Sequence, residues 1–390
     1  EKKSEGAAEF LKLLEEHQLK PSDASKCEGE MKKADVFRVM KNLPRNKASG
    51  PDGIPNEYYK TFAKEIAEEY AAMMNEIHEQ GSLSNGIKDG TITILYKKKD
   101  RDDIRNYRPI TLLNGDYKIL TRTLCKRMKK VIGRVVSREN TGFSPGRFIS
   151  ENTQQMKLMQ AMLEENNEPG MFVFLDLEKA FDRVSWDYMQ KAIEKLGFGK
   201  DFLKWVRILY DESNSPRRRL KINGHEGERF TLKCGTAQGC PLSPLLYLCV
   251  MEAFSRAVKA DKKIKGIKVG RSELKLSQFA DDTVLLLREF RSIKRVWDIL
   301  RRIEKATGQR VNSDKTEGLL LGSLRNDARA PGWIKWCADG DYIISLGVPF
   351  GNDFEGSPQE IGFWRKIYHK TKTIMARWTA IFALTMRGRV

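Results

Sequence analysis

A chain of 390 residues exceeds what one hydrophobic core usually supports, so two or three subdomains are expected. Hydrophobic residues make up 40% and charged residues 31%, while 70 Lys and Arg against 52 Asp and Glu leave a formal charge of +18. That excess is the electrostatic footprint of a nucleic-acid binder. No apolar run approaches the roughly 20 residues of a membrane span, which sets an integral membrane protein aside.

Six cysteines (Cys27, Cys125, Cys234, Cys240, Cys249 and Cys337) are scattered, with no C-x-x-C pair and no His at zinc-finger spacing. They read as reduced packing residues of an intracellular protein, nuclear or cytoplasmic. The opening residues carry no secretory signal. The chain starts in helical character without an initiator Met, so a piece of something longer is expected.

Residues 7–20 and 30–43 carry apolar residues at helical spacing and predict two short amphipathic helices. Lys47-Ala48-Ser49-Gly50-Pro51-Asp52-Gly53 is a turn, and a helix is predicted from Asn56 to about Gln80, closed by Gly81. Thr91 to Tyr96 reads as a strand that runs into Lys97-Lys98-Lys99. Beyond it lies Asn106-Tyr107-Arg108-Pro109-Ile110, then a basic helix from about Asp116 to Val136. Basic residues on both sides of an apolar centre suit a lid that grips phosphates. A Gly and Pro loop at 142–147 precedes a helix from about Glu151 to Glu164.

Met171-Phe172-Val173-Phe174-Leu175 followed at once by Asp176 is the pattern of a buried strand whose end delivers one carboxylate. Ser185 caps a helix through Leu196, ended by Gly197, and another helix runs from about Asp201 to Tyr210. Arg217-Arg218-Arg219 reads as a basic loop before a hairpin turning at Asn223-Gly224. Thr236-Ala237-Gln238-Gly239-Cys240-Pro241 opens an apolar helix from Leu245 to about Lys259. Gln278-Phe279-Ala280-Asp281-Asp282 then reads as a tight hairpin between apolar segments. A helix from Ile293 to Thr307, a strand at Leu319 to Leu321, a patternless loop at 323–341 and a hairpin edge at Tyr342 to Pro349 follow. A basic, aromatic helix begins near Phe363.

Asp281 and Asp282 alone could be turn residues, because Asp bonds its own backbone. Joined by Asp176 on the edge of one antiparallel sheet, they make an oxygen-rich nest suited to hard cations that also bind phosphates. Two such ions about 3.5 to 4 Å apart support phosphoryl transfer. None of the four His falls beside a motif, and no G-x-x-x-x-G-K-S/T loop is present, which argues against a P-loop ATPase.

The ordered set Lys97 with Asn106 to Ile110, Phe174-Leu175-Asp176 through Phe181-Asp182, Ala237 to Pro244, Phe279-Ala280-Asp281-Asp282, Asn312 to Thr316 and Ser345-Leu346-Gly347 resembles the motif series of reverse transcriptases. The Lys47 to Gly53 block and Leu112 to Leu120 resemble the non-LTR retrotransposons of the long interspersed element kind, over roughly residues 42 to 390. The resemblance implies an α+β right-hand polymerase fold. Its parts would be an N-terminal helical extension (1–41), fingers (42–165), an antiparallel-sheet palm (166–350) and a connection with a truncated thumb (351–390).

The resemblance further implies that Asp176, Asp281 and Asp282 bind two Mg²⁺ ions, with Mn²⁺ as a substitute and the main-chain oxygen of Leu177 as a further ligand. Lys97 and Arg108 would hold the incoming dNTP, and Phe181 would close the space beside its 2′ position. Gln238 and Gly239 would lie along the nascent pair, and Lys315 would protonate the departing pyrophosphate. Gly50, Phe279, Leu346 and Gly347 would meet the RNA template and DNA primer. Phe279 stands where many family members carry Tyr, keeping the ring and losing the hydroxyl. An element of this kind usually carries an endonuclease domain before the polymerase and a Cys/His knuckle after it, and this chain has neither. Two other readings share the motifs. One is a binding scaffold that kept the fold and lost turnover. The other is an RNA-directed RNA polymerase, disfavoured by bulky Phe181.

Overall fold

The computed structural model describes residues 2–97, 100–213, 215–353 and 356–386. Lys98 and Lys99 of the expected lysine cluster, and residues 387–390 of the expected thumb, lie outside them.

In chain order the first part holds helices α1 (Lys2–Glu15), α2 (Pro21–Ala24), α3 (Lys33–Lys41), α4 (Asn56–Thr61), α5 (Ala63–Gln80) and α6 (Asn85–Lys88), strands β1 (Asp89–Tyr96) and β2 (Tyr107–Leu113), and helices α7 (Gly115–Lys129), α8 (Ile132–Val135) and α9 (Ile149–Glu165). The helix expected over 56–80 is thus two. Phe62, at φ −91 and ψ 15, leaves the helical region between them. The break accompanies burial of Tyr59, whose ring occupies the space a Cβ at Gly115 would need. Gly81 caps α5 at φ 74, the left-handed geometry that its lack of a Cβ permits. The helix expected through Val136 ends at Lys129, because Val131 turns to φ −127 before the short α8.

The second part holds β3 (Gly170–Leu175), α10 (Trp186–Lys195), α11 (Lys200–Leu209), β4 (Arg217–Ile222), β5 (His225–Thr231), α12 (Ser243–Ala260), β6 (Ile267–Val269), β7 (Ser272–Leu274), β8 (Leu276–Phe279), β9 (Asp282–Leu287), α13 (Phe290–Thr307), β10 (Glu317–Leu321), β11 (Lys335–Trp336), β12 (Ile343–Ser345), β13 (Val348–Phe350) and α14 (Pro358–Met386). Two larger sheets, in the orders β2-β1-β4-β5 and β11-β10-β3-β9-β8, organise the fold, with the two-stranded pairs β6-β7 and β12-β13 beside them.

The Arg217-Arg218-Arg219 stretch is a strand, not a loop. It lies parallel to β1, where Arg217 pairs with Asp89 at 2.9 Å, and Arg229 of the neighbouring β5 reaches the same carboxylate at 3.3 Å. Buried Arg218 donates to the carbonyls of Lys88 and Arg217 at 2.7 Å each. The expected division at 165/166 therefore does not separate the sheets, because β4 and β5 extend the first one. The stretch at 107–113 is likewise a strand, and Pro109 is tolerated because β2 is an edge.

The second sheet buries both faces, which is why β3 is apolar throughout. One face (Met171, Val173, Leu175, Leu285, Leu287, Leu320) joins the large core with α10, α12 and α13. The other (Phe172, Phe174, Val284, Leu286, Leu319, Leu321) packs under Met156, Met159 and Leu163 of α9 and under Ile343 and Phe350 of the β12–β13 hairpin. Alternation places these rows on opposite faces. The N-terminal helices are integral to the fold. Arg127 of α7 donates to the carbonyls of Gly29 and Glu30, and Arg256 of α12 to those of Leu13 and Leu14. No helix among the described residues is long and apolar enough to cross a membrane.

Asp116, in the first turn of α7, has its carboxyl pushed up to about 6 by burial, with the charge of Asp52 adding to the shift and the Tyr117 amide opposing it. The folded chain then keeps this proton up to about pH 6, whereas the unfolded chain releases it near 4. The associated stability is complete below about pH 4 and lost as pH rises through 6. Asp116→Asn, which keeps the acceptor for Tyr117, is expected to raise stability at pH 7.5 by about 1–2 kcal/mol, after allowance for partial exposure, and to change little at pH 4. Melting curves at the two pH values check this, and an equal shift at both would refute it.

Candidate active site

Side chains on one face recur every second residue, so the row Phe172, Phe174 continues to Asp176, and Leu286, Val284 to Asp282. Leu175 pairs with Thr283, and the register carries Asp176 opposite Asp282, where cross-strand neighbours stand about 5 Å apart. The buried face thus ends in two carboxylates at its open edge. Asp281 joins them from the two-residue turn between β8 and β9, where Ala280 takes φ 58.

A cleft of about 540 Å³ opens over this edge. Asp176 and Asp282 line it with Lys97, Arg105 and Asn106 from the strap between β1 and β2, Lys315 from the turn before β10, and Leu346. Asp282 is exposed to the cleft, yet its carboxyl is pushed up to about 6. The surrounding protein displaces solvent, the charges of Asp281 and Asp176 add to the effect, and Lys97 opposes it. Asp281 is raised by burial first and by Asp176 next, with Lys97 and Arg108 opposing. The structure therefore brings together Asp176, Asp281, Asp282, Lys97 and Arg108, by geometry or by mutual field.

Lys315 is placed by the backbone. Asn312 N–H donates to the Asp176 carbonyl at 2.8 Å and Glu178 N–H to the Arg310 carbonyl at 2.8 Å, so Leu177 pairs with Val311. The next turn, Ser313–Lys315, then sets the Lys315 ammonium 3.6 Å from the Asp176 carboxylate. Among the described residues no three Asp, Glu, His or Cys side chains stand as a ready metal cage. The three carboxylates share an edge and a field, with an ammonium among them.

Phe181 lies behind this edge with its ring 4.5 Å from that of Tyr247. Gln238 donates to the Asp182 carboxylate at 3.3 Å, and its carbonyl accepts from Thr111 N–H at 3.0 Å, which ties the loop to the first sheet. Gly239, at φ 123, has the Thr111 carbonyl where a Cβ would be, so only glycine fits. Leu346 and Gly347 form the β12–β13 turn at φ 51 and 83. Gly50 stands apart, packed on Asn114 at the start of α7.

Sequence reading missed what holds the hairpin. Residues 139–142 run along the outer edge of β8: Gln278 N–H donates to the Glu139 carbonyl at 2.8 Å, and Thr141 N–H to the Gln278 carbonyl at 3.0 Å. Buried Asn140 accepts from Ala280 N–H at 3.1 Å, and buried Asn152 donates to Ser277 and to the Gln278 carbonyl. Arg147 fastens this strap by donating to the carbonyls of Val136, Ser137 and Asn140. Asn140 and Arg147 in a polar, aperiodic loop, and one polar Asn152 in the first turn of α9, carry no pattern; only the Gly-Phe-Ser-Pro-Gly turn marked the place.

Residues 96–358 match the family described as reverse transcriptase (RNA-dependent DNA polymerase). The chain is 29% identical over 363 residues to the transposon TX1 uncharacterized 149 kDa protein of Xenopus laevis, covering 91% of this chain and 27% of that protein. It is 26% identical over 272 residues to the retrovirus-related Pol polyprotein from type-1 retrotransposable element R2 of Nasonia vitripennis (67% of this chain, 25% of that one). It is 23% identical over 255 residues to the RNA-directed DNA polymerase from mobile element jockey of Drosophila melanogaster (65% and 27%). The chain thus spans about a quarter of the length of these relatives.

Proposed function

Because the chain belongs to the reverse transcriptase (RNA-dependent DNA polymerase) family, we propose that it copies RNA into DNA, adding dNTPs to a primer 3′ hydroxyl, as one domain of a larger non-LTR retrotransposon protein. The observation that carries this reading is the sheet edge where Asp176, Asp281 and Asp282 meet below a strap of basic residues. In this reading the first sheet with its helices is the fingers, the second sheet the palm, and α14 the start of a thumb.

The all-oxygen donor set fits a hard divalent cation, since two of its carboxyls are held above their ordinary range by desolvation and mutual repulsion. Asp176, Asp281 and Asp282 would hold Mg²⁺ or Mn²⁺, with the Leu177 carbonyl completing the set. Such ions, when bound, activate the attacking hydroxyl and neutralise the leaving oxygen. The chain's own residues do the rest. Lys97 and Arg108 offset the triphosphate charge, and the Lys315 ammonium is the proton source for pyrophosphate. Gln238, fixed by Asp182, and Gly239, flush against Thr111, form a floor for the nascent pair. Phe181 bars a 2′ hydroxyl, while Phe279, Leu346 and Gly347 support the primer and Gly50 the template. Phe181→Ala is expected to raise the UTP to dTTP ratio of kcat/KM by at least about tenfold; unchanged selectivity would remove this role.

The Lys315–Asp176 ion pair inside the site also suits a scaffold that binds without turnover. Primer extension on poly(rA) with dTTP and Mg²⁺ separates the two. Extension by the parent that disappears in Asp281→Asn is the expected result. Failure of both chains, with template and primer still bound, would favour the scaffold.

A further inference from the structure

Phe143 is a bulky residue held at φ 54, a conformation that costs side-chain-bearing residues energy, and it is 46% exposed. A strained, exposed aromatic ring is not explained by packing. Its setting is specific. The strap at 139–142 is pinned to β8, Asn140 accepts from the amide of Ala280 in the catalytic turn, and a Cβ at Gly142 would come within 2.5 Å of the same nitrogen. The backbone is therefore locked up to the residue before Phe143. The Phe143 ring is delivered beside Phe279, with centroids 6.2 Å apart and planes at 36°. Phe279 pairs with Asp282 across the hairpin, so the edge reads Phe143, Phe279, Asp282, Asp176 in spatial order.

We propose that Phe143 is a primer-positioning residue: with Phe279 it forms a two-ring apolar shelf that bears the sugar and base of the primer's terminal nucleotide and holds its 3′ end over the carboxylates. Apolar rings suit this place, because a second carboxylate-facing charge would disturb the metal-binding field, whereas an aromatic face stacks on any base. The strain at Phe143 accompanies the reach of the ring to the hairpin. This rests on the polymerase reading for its reaction, but not for its contact.

The contact is tested with a primer carrying 4-thiothymidine at its 3′ end, annealed to RNA and irradiated on the full chain. The expected product is a crosslink in the tryptic peptide Glu139–Arg147, whether or not the chain extends primers. In extension assays Phe143→Gly and Phe143→Ala are expected to raise the primer–template KM about fivefold or more with kcat little changed, and Phe143→Tyr to restore it. Phe143→Gly relieves the positive φ, so its melting temperature is expected to hold or rise. A structural role would instead lower it along with activity. No crosslink in that peptide, or a Phe143→Gly chain with the parental KM, overturns the proposal. A crosslink with an inactive parent would leave it standing while the polymerase reading fell.

Discussion

Asp176→Asn is expected to lower the rate of nucleotide addition by about 10³-fold or more, equivalent to about 4 kcal/mol of transition-state stabilisation, while template–primer affinity stays within about threefold. The variant keeps the shape of the side chain and removes its charge. The hydrogen bond from Asn312 N–H goes to the Asp176 carbonyl, not to the carboxylate, so the turn that places Lys315 survives. What is lost is one of three anions at the sheet edge. Burial is the main reason Asp281 and Asp282 are raised, but the Asp176 charge adds to it, so without that charge both carboxyls should shift part of the way down. A bell-shaped pH dependence should therefore move on its acid side even as the rate collapses. Lys315→Ala makes the useful contrast. If the ammonium protonates pyrophosphate, kcat falls about 10² to 10³-fold with the KM for dNTP little changed. If it only neutralises Asp176 in the free chain, 3.6 Å away, the rate is unaltered. Single-turnover kinetics on the three chains settle both claims, and an Asp176→Asn chain within tenfold of the parent would remove that residue from the site.

The sequence carried the site better than its surroundings, and the reason is physical. Strands buried on both faces write themselves as apolar runs, so Met171 to Leu175 and Val284 to Leu287 announced β3 and β9, and the carboxylates at their ends followed. Two-residue turns need positive φ, so Asn223-Gly224 marked its hairpin, whereas Leu346, at φ 51, gave no such signal. Partners from distant chain are another matter. The Arg217 to Arg219 run looks like a solvated loop until Asp89 and Glu226 are set beside it. The strap at 139–147 depends on backbone carbonyls and two buried Asn, which leave no periodic trace. Gly50 belonged to a motif whose order was readable but whose place in space, against Asn114, was not.

A second large effect should arise far from the cleft. Arg256→Met is expected to destabilise the chain by about 3–5 kcal/mol, the usual result when one partner of a buried ion pair is removed and the other stays. Arg256 Nε lies 2.8 Å from the Glu252 carboxylate, and their side chains are 8% and 1% exposed. Glu252 also accepts from Ser137 N–H and its hydroxyl at 2.9 and 2.7 Å. The remaining guanidinium donors reach the carbonyls of Leu13 and Leu14, in the last turn of α1, and of Val135, at the end of α8. These helix-terminal carbonyls have no partner within their own helices and favour a cation. One side chain therefore closes two helices and fixes them to α12. Adding Glu252→Gln to Arg256→Met should recover part of the loss, because the stranded charge goes with it. Ser255, the preceding residue of α12, donates to the side chain of Gln278 beside the Ala280-Asp281 turn. Loosening α12 is thus expected to reduce nucleotide addition as well as stability, in parallel across a denaturant series. Asp176→Asn should separate the two, abolishing the reaction in a chain that melts where the parent does.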